Sequence, residues 1–301
     1  MSLVHEYAFG QVCGLDVNNL HCIGSRAVHV GKFDHTNGES HVYERRGQAG
    51  ATELPTPGLF ASIWRSRQGN VYLAHRDGAF FTRQPNGTWD RCMVRASLLG
   101  IWGLDDDHVY GWGLAGDEPV MFQKAADGTW PPMSAPEKLV FGMSGDRPDR
   151  LIAVGLNGSI SIWDGGTWRA QSSPVSAALS SVHWVSEDEI YVTGPSAKFV
   201  LEGSIHGWSR RGPFPYPLHC VARFAGKLWV GCGLSGLHVL PDGADRLELV
   251  KPNIQVTFFD PRGNLVMSGT EMIVETADGD SFAGVGIAAY KELADRLPPS
   301  W

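Results

Sequence analysis

The chain has 301 residues, 32 of them acidic and 25 basic, for a formal net charge of −7. That balance, with Arg45-Arg46 and Arg210-Arg211 as isolated basic pairs, excludes a broad nucleic-acid-binding face. No apolar run approaches the roughly 18 residues needed to span a bilayer, so no membrane contact is expected.

The N-terminus, Met1-Ser2-Leu3-Val4-His5-Glu6, lacks the basic region and apolar stretch of a signal peptide. Cys13, Cys22, Cys92, Cys220 and Cys232 are odd in number and without short paired spacing. They read as free thiols in a reducing compartment, and the expected location is cytoplasmic.

In chain order, strand-like text comes in groups of four. Val4-His5-Glu6-Tyr7 is a strand expected to pair near the last group, with Leu3 at its start. The first group has Val12–Leu15, Leu20–Ile23, Val28–Val30 and Val42-Tyr43. Residues 46–58, rich in Gly, Ala, Pro and Thr, read as a long connection. The second group has Ala61–Trp64, Val71–Leu73, Ala79–Phe81 and Thr88-Trp89. In the third, Leu98-Leu99 leads into Ile101-Trp102-Gly103, Asp105-Asp106-Asp107 turns, and Val109–Trp112 alternates. Val120–Phe122 then runs to the Asp127-Gly128 hairpin, and Trp130 opens the outer strand. The fourth to seventh groups follow the same grammar. Ile287, Tyr290, Leu293, Ala294 and Leu297 lie on one helical face, stopped by Pro298-Pro299. The spacing predicts a short amphipathic helix on the outside of the fold.

Two phrases repeat. One is Gly113-Leu114-Ala115-Gly116, Gly155-Leu156-Asn157-Gly158 and Gly233-Leu234-Ser235-Gly236. The other ends in Trp89, Trp130, Trp168 and Trp208, spaced 41, 38 and 40 residues apart. A period near 40 with strands between glycines indicates a β-propeller. The expected architecture is all-β: one seven-bladed propeller domain over 1–301 with four-stranded antiparallel blades and a short C-terminal helix. The expected blades are 9–46, 58–94, 97–135, 138–174, 178–214, 217–251 and 254–286, with the helix at 286–297.

The run from Ile101 to Gly113, closed by Asp127-Gly128-Thr129-Trp130, resembles a repeat of bacterial propellers of the WD40/YVTN/BNR-like kind. The resemblance implies the architecture over about six blades and not a function. The Asp-Gly-Thr-Trp turn also resembles a degraded sialidase Asp-box, but the arginine triad and tyrosine–glutamate pair of that family have no counterpart here.

Candidate chemistry is sparse. Asp105-Asp106-Asp107 lacks the glycine and downstream glutamate of a calcium loop. His21, His29, His35 and His41 match no zinc-ligand spacing and read as scattered surface histidines. No metal or cofactor is therefore expected. His75-Arg76-Asp77-Gly78 replaces the Gly-Leu-x-Gly turn and reads as a tuned contact more readily than as an acid–base pair. The repeated tryptophans are expected between blades. Trp64, Trp102 and Trp184 sit in inner strands, and Cys13 and Cys220 read as small buried hydrophobes. No catalytic constellation is recognisable.

The expected function is non-catalytic binding of a protein partner on one face, and the acid surplus suits a basic partner. One form would be an immunity-type binder that masks a toxin or enzyme. Two alternatives stay open: a lyase or hydrolase with an axial site, and a lectin using inner-strand aromatics. The turns between second and third strands should share one end of the ring. They bring together Arg26, His75, Arg76, Asp77, Asp117, Glu118, Asn157, Lys198, Ser235 and Glu271 as the expected partner-binding residues. Reversing Arg76 and Asp77 together is expected to weaken binding and spare stability.

Overall fold

The computed structural model describes residues 4–29 and 35–297. Seven four-stranded antiparallel sheets follow one another, each with its strands in sequence order. This is a seven-bladed β-propeller closed by one short helix, α1 (Ile287–Ala294). Blade one comprises β1 (Val4–Asp16), β2 (Asn19–His29), β3 (His35–Arg46) and β4 (Ala49–Pro57). The other blades span 60–93, 97–133, 140–171, 181–211, 220–251 and 258–286.

Middle strands are sandwiched between neighbouring blades, so both of their faces are covered and the apolar–polar alternation vanishes. Val71–His75 and Ala79–Arg83 of blade two are buried at every position. The outer strands Trp89–Met93 and Trp168–Gln171 have no fully buried position.

The repeated phrases have separate physical causes. A Cβ on Gly155 would stand 1.8 Å from the Leu139 carbonyl oxygen, and one on Gly113 would stand 2.0 Å from that of Ser97. The incoming connection crosses the end of the second strand there, and only glycine leaves room. The second glycine serves the turn itself: Gly158 has φ +71, the left-handed region. In the other phrase the carboxylate or amide folds its own hairpin. Asp127 Oδ1 accepts the Thr129 N–H at 2.9 Å, and Asn86 Oδ1 accepts that of Thr88 at 3.0 Å.

The tryptophan that follows reaches back to the preceding blade each time. The Trp89 indole N–H donates to Glu53 (3.1 Å), that of Trp168 to the Ser134 carbonyl (3.0 Å), and that of Trp208 to Gln171 (2.7 Å). Trp130 instead stacks on Phe80 at 3.8 Å between ring centres. Trp130 is buried, whereas the other three are half-buried. It precedes the outer strand of blade three, Pro132–Met133, and does not open it.

Polar stitches join adjacent inner strands. Gln11 accepts from the Ile63 N–H (3.1 Å), Ser144 from Trp184 (3.3 Å), and Ser181 from Val221 (3.1 Å). Trp64 and Trp184 are buried and Trp102 is half-buried, each in an inter-blade cluster. Cys13 and Cys220 are buried, and burial pushes the Cys13 thiol up to about 12.

Blade one departs most from expectation. The segment expected as a connection is its outer strand, β4, paired with β3 across a bulge between Ser40 and Val42. Its two prolines are tolerated because β4 is an edge strand. Val42-Tyr43 therefore lies in β3, and Val28-His29 ends β2 rather than forming a third strand. Val30 and Leu3 lie outside the described residues. Val4–Tyr7 pairs with Arg26–His29 of the same blade, so it is not a closing strand of blade seven. The ring closes side by side instead. Phe9 N–H donates to the Thr270 carbonyl (2.8 Å), Ser268 to the Gly10 carbonyl (2.7 Å), and Gly14 N–H to Asp260 (2.8 Å).

Helix α1 packs against β4, the outer strand of blade one, and directly follows Ala283–Gly286, the outer strand of blade seven. Tyr290, fully buried, inserts among Phe9, Tyr43 and Val266, between blades one and seven. A Cβ on Gly24 would stand 2.5 Å from its ring, so the glycine makes the seat for the tyrosine. His21 and His41 are buried rather than scattered on the surface. His21 meets Glu44 at 3.2 Å, and His41 Nδ1 meets the Tyr290 hydroxyl at 2.7 Å. The side chains of His29 and His35 lie outside the described residues.

Candidate interaction face

One end of the ring carries both the turns between second and third strands and the connections between blades. Backbone hydrogen bonds tie the two sets together: Arg76 N–H to the Leu59 carbonyl (3.2 Å), Leu156 to Leu139 (2.9 Å), Phe214 to Lys198 (2.6 Å), and Gly233 to Val256 (2.9 Å). The opposite end carries the remaining hairpin turns.

The expected contact residues separate into two groups. Arg76, Asp77, Asp117, Glu118, Asn157, Lys198 and Glu271 are exposed at these turns, and Ser235 is half-exposed. Arg26 is a correction, because it lies within β2 and is buried. Its guanidinium donates to the carbonyls of Ala294 (2.8 Å) and Leu297 (3.4 Å) and pairs with buried Glu39. It caps the C-terminal end of α1, where cationic donors are favoured. The sequence places Arg26 two residues after the aligned Gly24, which is why it read as a turn residue. The extra length of β2 carries the strand past that point.

His75 is the second correction, buried at 3 % exposure. It occupies the position that glycine holds in the sister blades and pairs with Phe60 across the strands. Its ring meets that of Phe60 edge-on at 5.3 Å, and a Cβ on Gly58 would stand 3.3 Å away. Gly58, at φ +85, supplies the missing room. Asp77 lies 2.6 Å from His75 Nδ1 and accepts the Ala79 N–H at 3.0 Å. Burial works against its carboxylate, but the His75 hydrogen bond and charge outweigh that and hold it below the usual carboxylate range. Asp77 thus shapes the turn, and Arg76 is the side chain that the turn presents.

What the sequence reading passed over is the apolar content of this face. Among the described residues, nine large apolar side chains are exposed, and five of them are here: Leu59, Met93, Leu156, Tyr216 and Leu234. Leu234 is 85 % exposed at the tip of its turn. The signal was present in two of the three Gly-Leu-x-Gly phrases: Leu156 and Leu234 stand in tight reversals, whereas Leu114 lies within the second strand of blade three and is half-buried. Where β1 and β2 meet the blade-seven turn, a cleft of about 410 Å³ opens on the same end, lined by Glu6, Tyr7, Ala8, Ser25, Ala27, Thr270 and Glu271. Beyond Gly24 the blade-one sheet continues for five residues of β2, roughly 16 Å, and walls this face on one side.

The opposite end is more heavily charged, in both signs: Arg147, Arg150, Arg223 and Lys227 pair there with Asp149, Asp146, Asp242 and Asp280. Asp105, Asp106, Asp107, Asp127, Asp164, Glu187, Asp188, Asp242 and Asp278 all sit in its turns or at their edges. Several are spent on the turns: Asp105 accepts from the N–H groups of Asp107 (3.0 Å) and His108 (2.9 Å). Asp278 accepts those of Asp280 and Ser281, which hold its carboxyl at about 2. Among the described residues no group of three or more His, Cys, Asp or Glu side chains is arranged to hold a metal ion. No helix of the described residues is long and apolar enough to cross a membrane.

No family model matches this chain, and no curated protein matches it in sequence. Solved structures do. The WD40 propeller domain of Doa1 superposes with a TM-score of 0.65 at 9 % identity, over 92 % of this chain and 93 % of that one. Virginiamycin B lyase from Staphylococcus aureus gives 0.62 at 13 % identity, over 75 % and 83 %. YCF48 bound to D1 peptide gives 0.58 at 13 % identity, over 78 % and 83 %. At these identities the likeness concerns the fold alone. It shows the β-propeller architecture, which a WD40 domain and a lyase share.

Proposed function

We propose that the protein is a non-catalytic binding module that docks a protein partner on the end of the ring bearing the second-to-third-strand turns. The supporting observation is the gathering of five exposed apolar side chains there, among turns whose charged residues differ from blade to blade. A repeated ligand would call for a repeated pocket, and these turns do not repeat one: Arg76, Asp117, Asn157, Lys198 and Glu271 differ in sign and size. The propeller of YCF48, solved with a peptide, is an example of the fold holding a polypeptide.

The test uses a partner captured from the native source. Reversal of Arg76 and Asp77 together is a poor probe, because Asp77 holds its own turn. Arg76→Glu combined with Glu118→Lys alters two exposed residues. The expected result is affinity lower by roughly tenfold, with an unchanged melting temperature, as for rim charges at a protein interface. Unchanged affinity together with a partner footprint on the opposite end would refute the reading.

A further inference from the structure

The proposed face is divided. Over blades four to six, its turns and connections comprise residues 156–159, 172–180, 194–199, 212–219, 232–236 and 252–257, which contain no aspartate or glutamate. Their one full charge is exposed Lys198. The rest of the face carries exposed Asp77, Asp117, Glu118 and Glu271 beside Arg76 and Arg95.

The acid-free half also holds Leu234 (85 % exposed), Leu156 (40 %) and Tyr216 (37 %). Tyr216 lies 5.3 Å, ring centre to ring centre, from His238, and the His219 ring abuts the turn at Gly233, 2.7 Å from where a Cβ would stand. Tyr216, His219 and the Leu234 turn therefore form one patch at the corner of blades five and six. Beneath it, His238 is buried. Pro195, Pro213, Pro215, Pro217 and Pro252 stiffen the surrounding chain, so that ordering it on binding costs little.

We propose that this half of the face is the docking surface for an acidic segment of a partner protein, anchored by an apolar side chain on the Tyr216–Leu234 patch. The chemistry follows from complementarity. The patch offers apolar area at its centre, a lysine at its rim and no carboxylate to repel an incoming one. A basic segment would find no counter-charge here. The inference rests on the reading of this end as the partner-binding end, and it goes further by committing to one half and one partner charge.

Two labelled synthetic peptides of equal length test it by fluorescence anisotropy. One interleaves Leu and Trp with Asp and Glu, and the other replaces the acids with Lys and Arg. The acidic peptide is expected to bind measurably and the basic one at least tenfold more weakly. Leu234→Ser should abolish binding, and Lys198→Glu should weaken it several-fold, each with an unchanged melting temperature. Equal binding of both peptides, preference for the basic one, or indifference to both substitutions would overturn the proposal. Hydrogen-exchange protection by the acidic peptide separates the two readings. Protection confined to 75–78 and 116–118 would sink this inference and leave the docking end standing. Protection confined to 104–108 and 164–167, on the opposite end, would sink both.

Discussion

Trp130→Ala is expected to destabilise the protein by about 3–5 kcal/mol. The indole is 4 % exposed and lies flat on Phe80 of the preceding blade, with an interplanar angle of 11°. Phe80 in turn fits only because position 111 is glycine, where a Cβ would stand 2.3 Å from its ring. The stack is bounded by Leu98, Val109 and Phe122, so an alanine leaves a void that its neighbours cannot close without moving strands. Trp168→Ala should cost clearly less, since that ring is half-buried and what it gives up is one hydrogen bond to the Ser134 carbonyl together with part of its packing. Urea melts of the two variants beside the parent measure the difference. Equal losses would mean that the inter-blade stack carries no special weight.

The second large effect is acid sensitivity. Burial holds the imidazoles of His21, His41, His183, His219 and His238 below their ordinary range, with His183 at about 4. Each is neutral in the folded protein at pH 7. Above pH 6.5 the folded and unfolded chains bind the same protons at these sites, so they contribute no pH dependence. Below 6.5 the unfolded histidines protonate and the folded ones resist, so the unfolded state gains. Stability should therefore fall as the pH drops from 6.5 toward 4, by about 3 kcal/mol from His183 alone.

A second loss begins below the ordinary carboxylate range. Burial disfavours the Glu44 carboxylate, but the hydrogen bond with His21 and the guanidinium groups of Arg83 and Arg46 hold it at about 2. Its contribution is lost as the pH falls from about 4.5 toward 2. Denaturation midpoints taken between pH 7.5 and 4 should trace the histidine phase, and His183→Gln should flatten it. A midpoint constant down to pH 5 would contradict the account.

The ring was legible in the sequence because each blade repeats the same solutions to the same problems. Gly155 and its counterparts mark a backbone crossing, Asp127 and Asn86 mark a hairpin, and the tryptophan that follows marks a contact with the blade before. Such requirements fix residue types at fixed spacing. Blade one was misread because its problem differs. β4 is an edge strand that pairs through its backbone and carries two prolines, so it resembles a loop in composition.

The buried pairs beneath α1 were illegible for another reason. Arg26, Glu39 and His41 are polar by type, and only the docking of α1 over the blade-one sheet buries them. The candidate face was half legible. Its turns followed from the repeat, but Leu234 and Leu156 read as parts of a turn phrase. Their exposure becomes evident only when the tight reversal is seen to aim them away from the blade. The concentration of charge on the opposite end likewise depends on which turns share an end.

The central claim is that a partner meets the second-to-third-strand turns. Its most direct test is amide hydrogen exchange of the protein alone and in complex with a partner purified from the native source. Protection is expected at 116–118, 156–159, 194–198 and 232–236 and in the connections beside them, with the turns at 104–108, 164–167 and 277–282 unchanged. Protection of those latter turns, or of the outer strands alone, with no change at the former, would contradict it.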